Sequence, residues 1–113
     1  MQVPRKEKEV KDEMKMLVIV EWDNTKNEER LKKFYEYTTT YLEYVNRVDK
    51  GICKRNTWVD GTGHHFQTQE FESMEDYVKV WGDDEYFSRF VRFCRLVDNA
   101  RTHVLRPAIS VPP

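Results

Sequence analysis

Met16-Leu17-Val18-Ile19-Val20-Glu21-Trp22-Asp23 is the stretch on which the fold turns. In an extended chain, successive side chains point to opposite faces. Met16, Val18, Val20 and Trp22 then share one face, and Leu17 and Ile19 share the other. A strand that is wet on one side alternates apolar with polar residues. Here both parities are apolar, so a strand over 16–23 is expected in a sheet covered on both sides.

The chain that follows supplies the rest of such a sheet and its helices. Thr25 and Glu28 have capping-box spacing, and Glu28-Glu29 place negative charge at the positive end of a helix dipole. Leu31, Phe34, Tyr35, Thr38, Tyr41, Leu42, Val45 and Val48 recur at helical spacing, which predicts a helix over 27–47 that stops before Gly51. Tyr37 and Tyr44 fall off this stripe and are expected to face solvent or a neighbour. Thr57, Trp58 and Val59 suit a strand over 52–60, and Asp60-Gly61-Thr62-Gly63 is a turn signal. A third strand runs from 64 or 65 to 71, with no clean apolar parity. Ser73 caps a short helix over 74–81 that ends at Gly82. Asp83-Asp84 start another, along which Phe87, Phe90, Val91, Cys94 and Val97 repeat. A last strand is expected over 101–105, before the irregular tail of Pro107, Pro112 and Pro113.

The order β-α-β-β-α-β is the split βαβ arrangement of an α+β, ferredoxin-like fold with an antiparallel sheet and a second helix broken near Gly82. The domain is expected over 16–106, with a charged N-terminal extension over 1–15 and a proline-containing tail over 107–113. Right-handed crossovers put both helices on one sheet face. The other face is then bare yet apolar at its first strand, and a soluble monomer rarely exposes such a patch. A two-fold partner stacking its own open face there resolves the conflict, so a homodimer through the open sheet face is expected.

Composition narrows the function classes. At 113 residues, 39% hydrophobic, 35% charged and 13% aromatic, the chain reads as one globular domain. A net charge of −1 provides no basic field for nucleic acid or an anionic membrane. The longest apolar run, over 16–20, is too short to span a bilayer. The charged N-terminus does not read as a secretory signal. Cys53 and Cys94 are not in a CxxC pair, so free thiols and a cytoplasmic protein are expected.

Motifs for chemistry are sparse. Ser73 is a helix cap, Asp83-Asp84 belong to a helix start, and Gly61-Thr62-Gly63 lies between two strands instead of strand and helix, as a dinucleotide loop would. His64 and His65 are adjacent on a strand, so they point to opposite faces and cannot readily share an ion with His103. Neither metal nor cofactor is expected. Trp22, Arg55, Trp58, His65 and Gln67 are strand residues that could line a pocket, and aromatic walls with a few polar groups suit a planar organic ligand. His65 is the candidate base on such a molecule.

Gln69-Glu70-Phe71-Glu72-Ser73-Met74-Glu75-Asp76-Tyr77 and Trp81-Gly82-Asp83-Asp84-Glu85-Tyr86-Phe87 resemble the strand–helix passage of the dimeric α/β-barrel superfamily. That superfamily includes antibiotic-biosynthesis-monooxygenase-like and NIPSNAP-like proteins. Leu96-Val97-Asp98-Asn99 and His103-Val104-Leu105 are similar to its closing segment, and the resemblance covers 16–106. It implies pairing into a dimeric α/β barrel. Its members include cofactor-free monooxygenases, haem degraders, muconolactone isomerases, chlorite dismutases and proteins with no known activity. The haem degraders carry a ligating histidine on the helix after the third strand. Aligned from Ser73, that position here is Trp81, and no histidine lies between His65 and His103, so haem ligation is not implied. Three readings stay open: a homodimer binding a small aromatic or apolar molecule, a cofactor-independent monooxygenase- or isomerase-like enzyme, and an assembly module without ligand.

Overall fold

A computed structural model describes residues 15–108; the expected extension and tail otherwise lie outside the described residues. Strand β1 spans Met16–Asn24, helix α1 Glu28–Asp49, β2 Lys54–Val59 and β3 His64–Phe71. Helix α2 spans Met74–Trp81, α3 Asp84–Arg95 and β4 Val97–Leu105. The sheet order is β2-β3-β1-β4 with every neighbour antiparallel, so the structure has the α+β, ferredoxin-like topology that the element order implies.

Strand β1 sets the layers. Met16, Val18, Val20 and Trp22 are buried against the helices, together with Phe71 of β3. Val18 is 0% exposed and Val20 1%. Burying one such side chain contributes about 1.5–3 kcal/mol. Leu17 and Ile19 point the other way, half-buried on the open face. From Glu21 onward that face becomes polar, so the apolar character expected of both faces extends over only the first half of the strand.

Helix α1 is rotated from its expected setting. Tyr37, Tyr41, Tyr44 and Val45 are buried, whereas Tyr35 and Leu42 are exposed. The expectation that Tyr37 and Tyr44 face outward is therefore overturned, and α3 is the reason. The Tyr37 hydroxyl donates to the Arg89 carbonyl at 3.0 Å, and the Tyr44 hydroxyl to Asp83 Oδ2 at 3.2 Å. Arg92 and Arg89 lie over these two rings, 4.6 and 4.2 Å from their centroids. Tyrosines that bury their rings and find polar partners outcompete the purely apolar stripe. The cap also shifts by two residues. Asn27 accepts from the Arg30 N–H at 3.0 Å, while Thr25 accepts from the Asn27 N–H.

Strand β4 begins earlier than its apolar pattern suggests. Between the pairs Asp23↔Asp98 and Glu21↔Arg101 the register shifts, so Asn99 and Ala100 oppose the single residue Trp22. This is a β-bulge. Asn99 has φ 55°, a left-handed conformation that Asn tolerates better than most residues, and its side chain donates to Asp23 Oδ2 at 3.0 Å. Arg30 ties the start of α1 to this corner by donating to the carbonyls of Arg95 and Val97.

The break between α2 and α3 is a close approach. The Gly82 N–H donates to the Val78 carbonyl at 2.8 Å, and a Cβ at Gly82 would stand 2.6 Å from that oxygen. Gly82→Ala should therefore cost about 1–3 kcal/mol by overpacking. Urea unfolding checks this, and a loss under about 0.5 kcal/mol, typical of a surface change, would show that the helix end absorbs the methyl.

Candidate functional site

A central strand facing helices ordinarily presents apolar side chains. On β3 the helix-side residues are His65, Gln67, Gln69 and Phe71, opposite Trp22, Val20, Val18 and Met16 of β1. Gln67 and Gln69 are both buried, Gln69 completely. Arg55 of β2 stands opposite Gln69 and adds a charge to the same layer.

These groups satisfy one another in a chain of hydrogen bonds. Arg55 Nε and Nη2 grip the two carboxylate oxygens of Asp49, at the end of α1, at 2.5 and 3.0 Å. Its Nη1 donates to Gln67 Oε1 at 2.5 Å, and its Nη2 also to the Tyr86 hydroxyl of α3 at 2.9 Å. Gln69 Nε2 donates to Gln67 Oε1 at 2.9 Å, and the Trp81 indole N–H to Gln69 Oε1 at 3.0 Å. Burial alone would lower the Arg55 pKa, but Asp49 and Tyr86 outweigh it and hold it above its ordinary value. Burial raises the Tyr86 pKa against the pull of Arg55. A charge-assisted network closed in this way rigidifies the interior at the α1–α3 end.

The other end of the strip is open-ended. Trp22 and His65 stack with ring centroids 5.3 Å apart and an interplanar angle of 14°. Among the described residues, Trp22 Nε1 and His65 Nδ1 are both buried without a hydrogen-bond partner. Phe93 of α3 meets the Trp22 ring edge-on at 5.0 Å and stacks on Tyr41 at 5.4 Å, giving the pair an aromatic floor. A buried donor left unmatched costs about 1–3 kcal/mol, so such an atom calls for an explanation.

Four of the five residues expected to line a pocket thus share the helix side of the sheet: Trp22, Arg55, His65 and Gln67. Trp58 does not join them. It pairs with Phe66, and its parity places it on the open face, where it is exposed and its indole donates to Thr68 Oγ1 at 3.3 Å. Asp49, Gln69, Trp81 and Tyr86 complete the network but were not foreseen. The strip His65-Gln67-Gln69, polar at one parity of a central strand, was the available signal. The adjacent His64 and His65 do face opposite sides. Among the described residues, no group of three His, Cys, Asp or Glu side chains is arranged to hold a metal ion.

Three cavities among the described residues open away from this strip. One of about 330 Å³ opens at the end of the sheet beside Met16, Phe71 and Leu105. Two others, of about 840 and 540 Å³, are shallow grooves along α1 and α3 that share Tyr37, Arg89 and Arg92. Cys53 and Cys94 are free thiols. Burial pushes the Cys53 thiol up to about 12 and also raises Cys94, so neither is primed as a nucleophile. Among the described residues, no helix is long and apolar enough to cross a membrane.

No protein-family model matches the chain, and no curated protein sequence matches it significantly. Solved structures do. A hydroxynitrile lyase from Passiflora edulis superposes with a TM-score of 0.62 at 9% identity, covering 88% of this chain and 99% of that one. SnoaB, a cofactor-independent oxygenase from Streptomyces nogalater, gives 0.61 at 5% identity, covering 88% and 98%. A candidate antibiotic biosynthesis monooxygenase from Deinococcus radiodurans gives 0.58 at 8% identity, covering 87% and 97%. At these identities the likeness is one of fold. The chain has a ferredoxin-like α+β fold, the one it shares with these solved structures.

Proposed function

We propose that this chain acts as a homodimer, sheet against sheet, and takes up a small aromatic or apolar molecule at the Trp22–His65 end of its helix-side interior. The observation that carries the ligand is the pair of buried, unpartnered nitrogens on two stacked rings. Trp22 Nε1 can only donate, and His65 Nδ1 can donate or accept. Together they suit an oxygen substituent, such as a phenol or carbonyl, and because the cavities described above open elsewhere, Phe93 has to turn from its edge-on contact with Trp22 to admit the planar body. The Arg55–Gln67 network braces the strand that presents His65. The observation favouring the dimer is the open face, on which Leu17, Ile19, Phe66 and Trp58 stand on one side of the sheet opposite the helices. The two free thiols fit a reducing, cytoplasmic setting.

A second reading, turnover of the same molecule without a cofactor, is favoured by one feature. His65 is the titratable group of the strip that has a free ring nitrogen, the position a general base needs.

Native mass spectrometry of protein purified from its source cell tests subunit count and retained ligand together. A two-subunit mass carrying a small aromatic adduct is expected. Calorimetry with 1-naphthol as probe then locates the site, with binding weakened about tenfold in Trp22→Phe, the worth of about one hydrogen bond. A dimer with no adduct and no naphthol binding would favour the assembly module. Naphthol recovered chemically altered, and unaltered with His65→Phe, would favour the enzyme.

A further inference from the structure

The open face of the sheet carries a second polar constellation, built from three strands. His64 of β3 stands opposite Asp23 of β1 in register. Its Nδ1 lies 2.7 Å from Asp23 Oδ1, and its Nε2 lies 2.9 Å from Glu21 Oε1. The other Glu21 oxygen lies 2.7 Å from Nε2 of His103 on β4. The bulge residue Asn99 donates to the remaining Asp23 oxygen at 3.0 Å. All four carboxylate oxygens are thereby engaged. Phe66 meets the His64 ring edge-on at 4.8 Å, and Ile19 and Leu17 continue the face along β1.

Both ring nitrogens of His64 point at carboxylates. A neutral imidazole has only one N–H, so it would set a lone pair against one carboxylate oxygen. The arrangement is complete only with His64 as an imidazolium. Water can relieve the mismatch on an open face but not beneath a covering subunit, where an unpaired charge is far more costly.

We infer that the Asp23–His64–Glu21–His103 chain is the polar centre of the self-association face, and that the dimer weakens when His64 loses its proton. This rests on the sheet-to-sheet dimer proposed above. A second copy is the occupant the face fits. Cations and anions are interspersed on it, with Lys54 opposite Glu70 on one side and Arg101 opposite Glu21 on the other, around apolar Leu17, Ile19 and Phe66. A face of mixed sign can complement its own two-fold image.

The other charged groups near His64 do not supplant this pairing. Asp60, in the β2–β3 turn, accepts the backbone N–H groups of Thr62 and His64. Asp98 is held by Arg30 at 3.1 Å. Asp23 and then Glu21, by hydrogen bonding, hold the His64 pKa above its ordinary value. Hydrogen bonds from His64 and then His103 lower Glu21, and bonds from Asn99 and then His64 lower Asp23. The raised histidine contributes fully below the ordinary histidine range and is lost as pH rises through its elevated value. The lowered carboxylates contribute above their ordinary range and are lost as pH falls through their depressed values. These shifts within one subunit favour its folding between those limits; association weakens on the alkaline side because a covering subunit removes the water that a neutral His64 needs beside its second carboxylate.

Sedimentation equilibrium of the full chain at about pH 6 and about pH 9 tests this across the histidine range. The dimer Kd is expected to rise at least tenfold at the higher pH, to become flat in His64→Gln, and to stay pH-dependent in His103→Gln. In the wild type, the His64 ring protons should titrate at higher pH when the protein is concentrated than when it is dilute, by reciprocity of linkage; this readout needs no variant to fold. A dimer with the same Kd at both pH values overturns this inference and leaves the dimer standing. So does a dependence that survives in His64→Gln or disappears in His103→Gln. A monomer at both pH values and every concentration overturns the inference together with the dimer.

Discussion

Arg55→Met should lower the free energy of unfolding by about 3–5 kcal/mol, the loss expected when one partner of a buried ion pair is removed. The Arg55 and Asp49 side chains are only 8% and 9% exposed. The guanidinium supplies bonds to both Asp49 oxygens, to Gln67 and to Tyr86, so the substitution leaves a buried carboxylate without its counter-charge. The cost lies in what remains unpaired and not in the worth of the pair. Asp49→Leu combined with Arg55→Met should accordingly recover much of the loss, because an apolar pair of similar volume often replaces a buried ion pair with little penalty. Urea unfolding at fixed protein concentration measures both variants, since any self-association adds to apparent stability. A loss below about 1 kcal/mol in the single variant would place the pair among surface ion pairs and deny the network its structural role.

What the sequence made legible follows from where local pattern and tertiary packing agree. The alternation at 16–22 identified β1 and its buried parity, because a period of two leaves little freedom once one side is apolar. Ser73 and Gly82 marked both ends of α2, because caps act within a few residues. Apolarity alone sets the stripe of α1 at the wrong rotation, because it gives the tyrosine hydroxyls no weight. Tyr37 and Tyr44 are buried by virtue of partners 52 and 39 residues away, and no local pattern encodes those. The start of β4 was hidden by its bulge, which reverses parity at Asn99–Ala100. Site residues divided in the same way. Trp22, His65, Gln67 and Arg55 were legible as chemistry, but their shared face depended on the pairing register. Trp58 fell away by one residue of parity, and Asp49 and Tyr86 entered from helices. Glu21 and Asp23, two acids at one parity closing an apolar strand, were visible all along; only the pairing showed that His64 and His103 stand beside them.

Adjacent residues of β1 should give opposite results when made charged. Val18 is wholly buried under the helices, and Ile19 is half-buried on the open face between Thr68 and His103. Val18→Arg places an unpaired charge in a dry core and should abolish folding, since a few kcal/mol can exhaust a small domain's stability. Ile19→Arg should leave the circular dichroism spectrum of the subunit intact, because its long side chain can reach water from an uncovered sheet. Its effect should appear in assembly. A two-fold interface brings the substitution in twice, once from each copy. An uncompensated charge beneath a partner costs about 3–5 kcal/mol, so dimer Kd should rise at least 100-fold. Sedimentation over a range of concentrations reads the change. If Ile19→Arg dimerises as tightly as the wild type, the second copy does not sit on this face. The apolar half of β1 would then belong to a covering of another kind, and the His64 cluster would lie at the surface with water to relieve it.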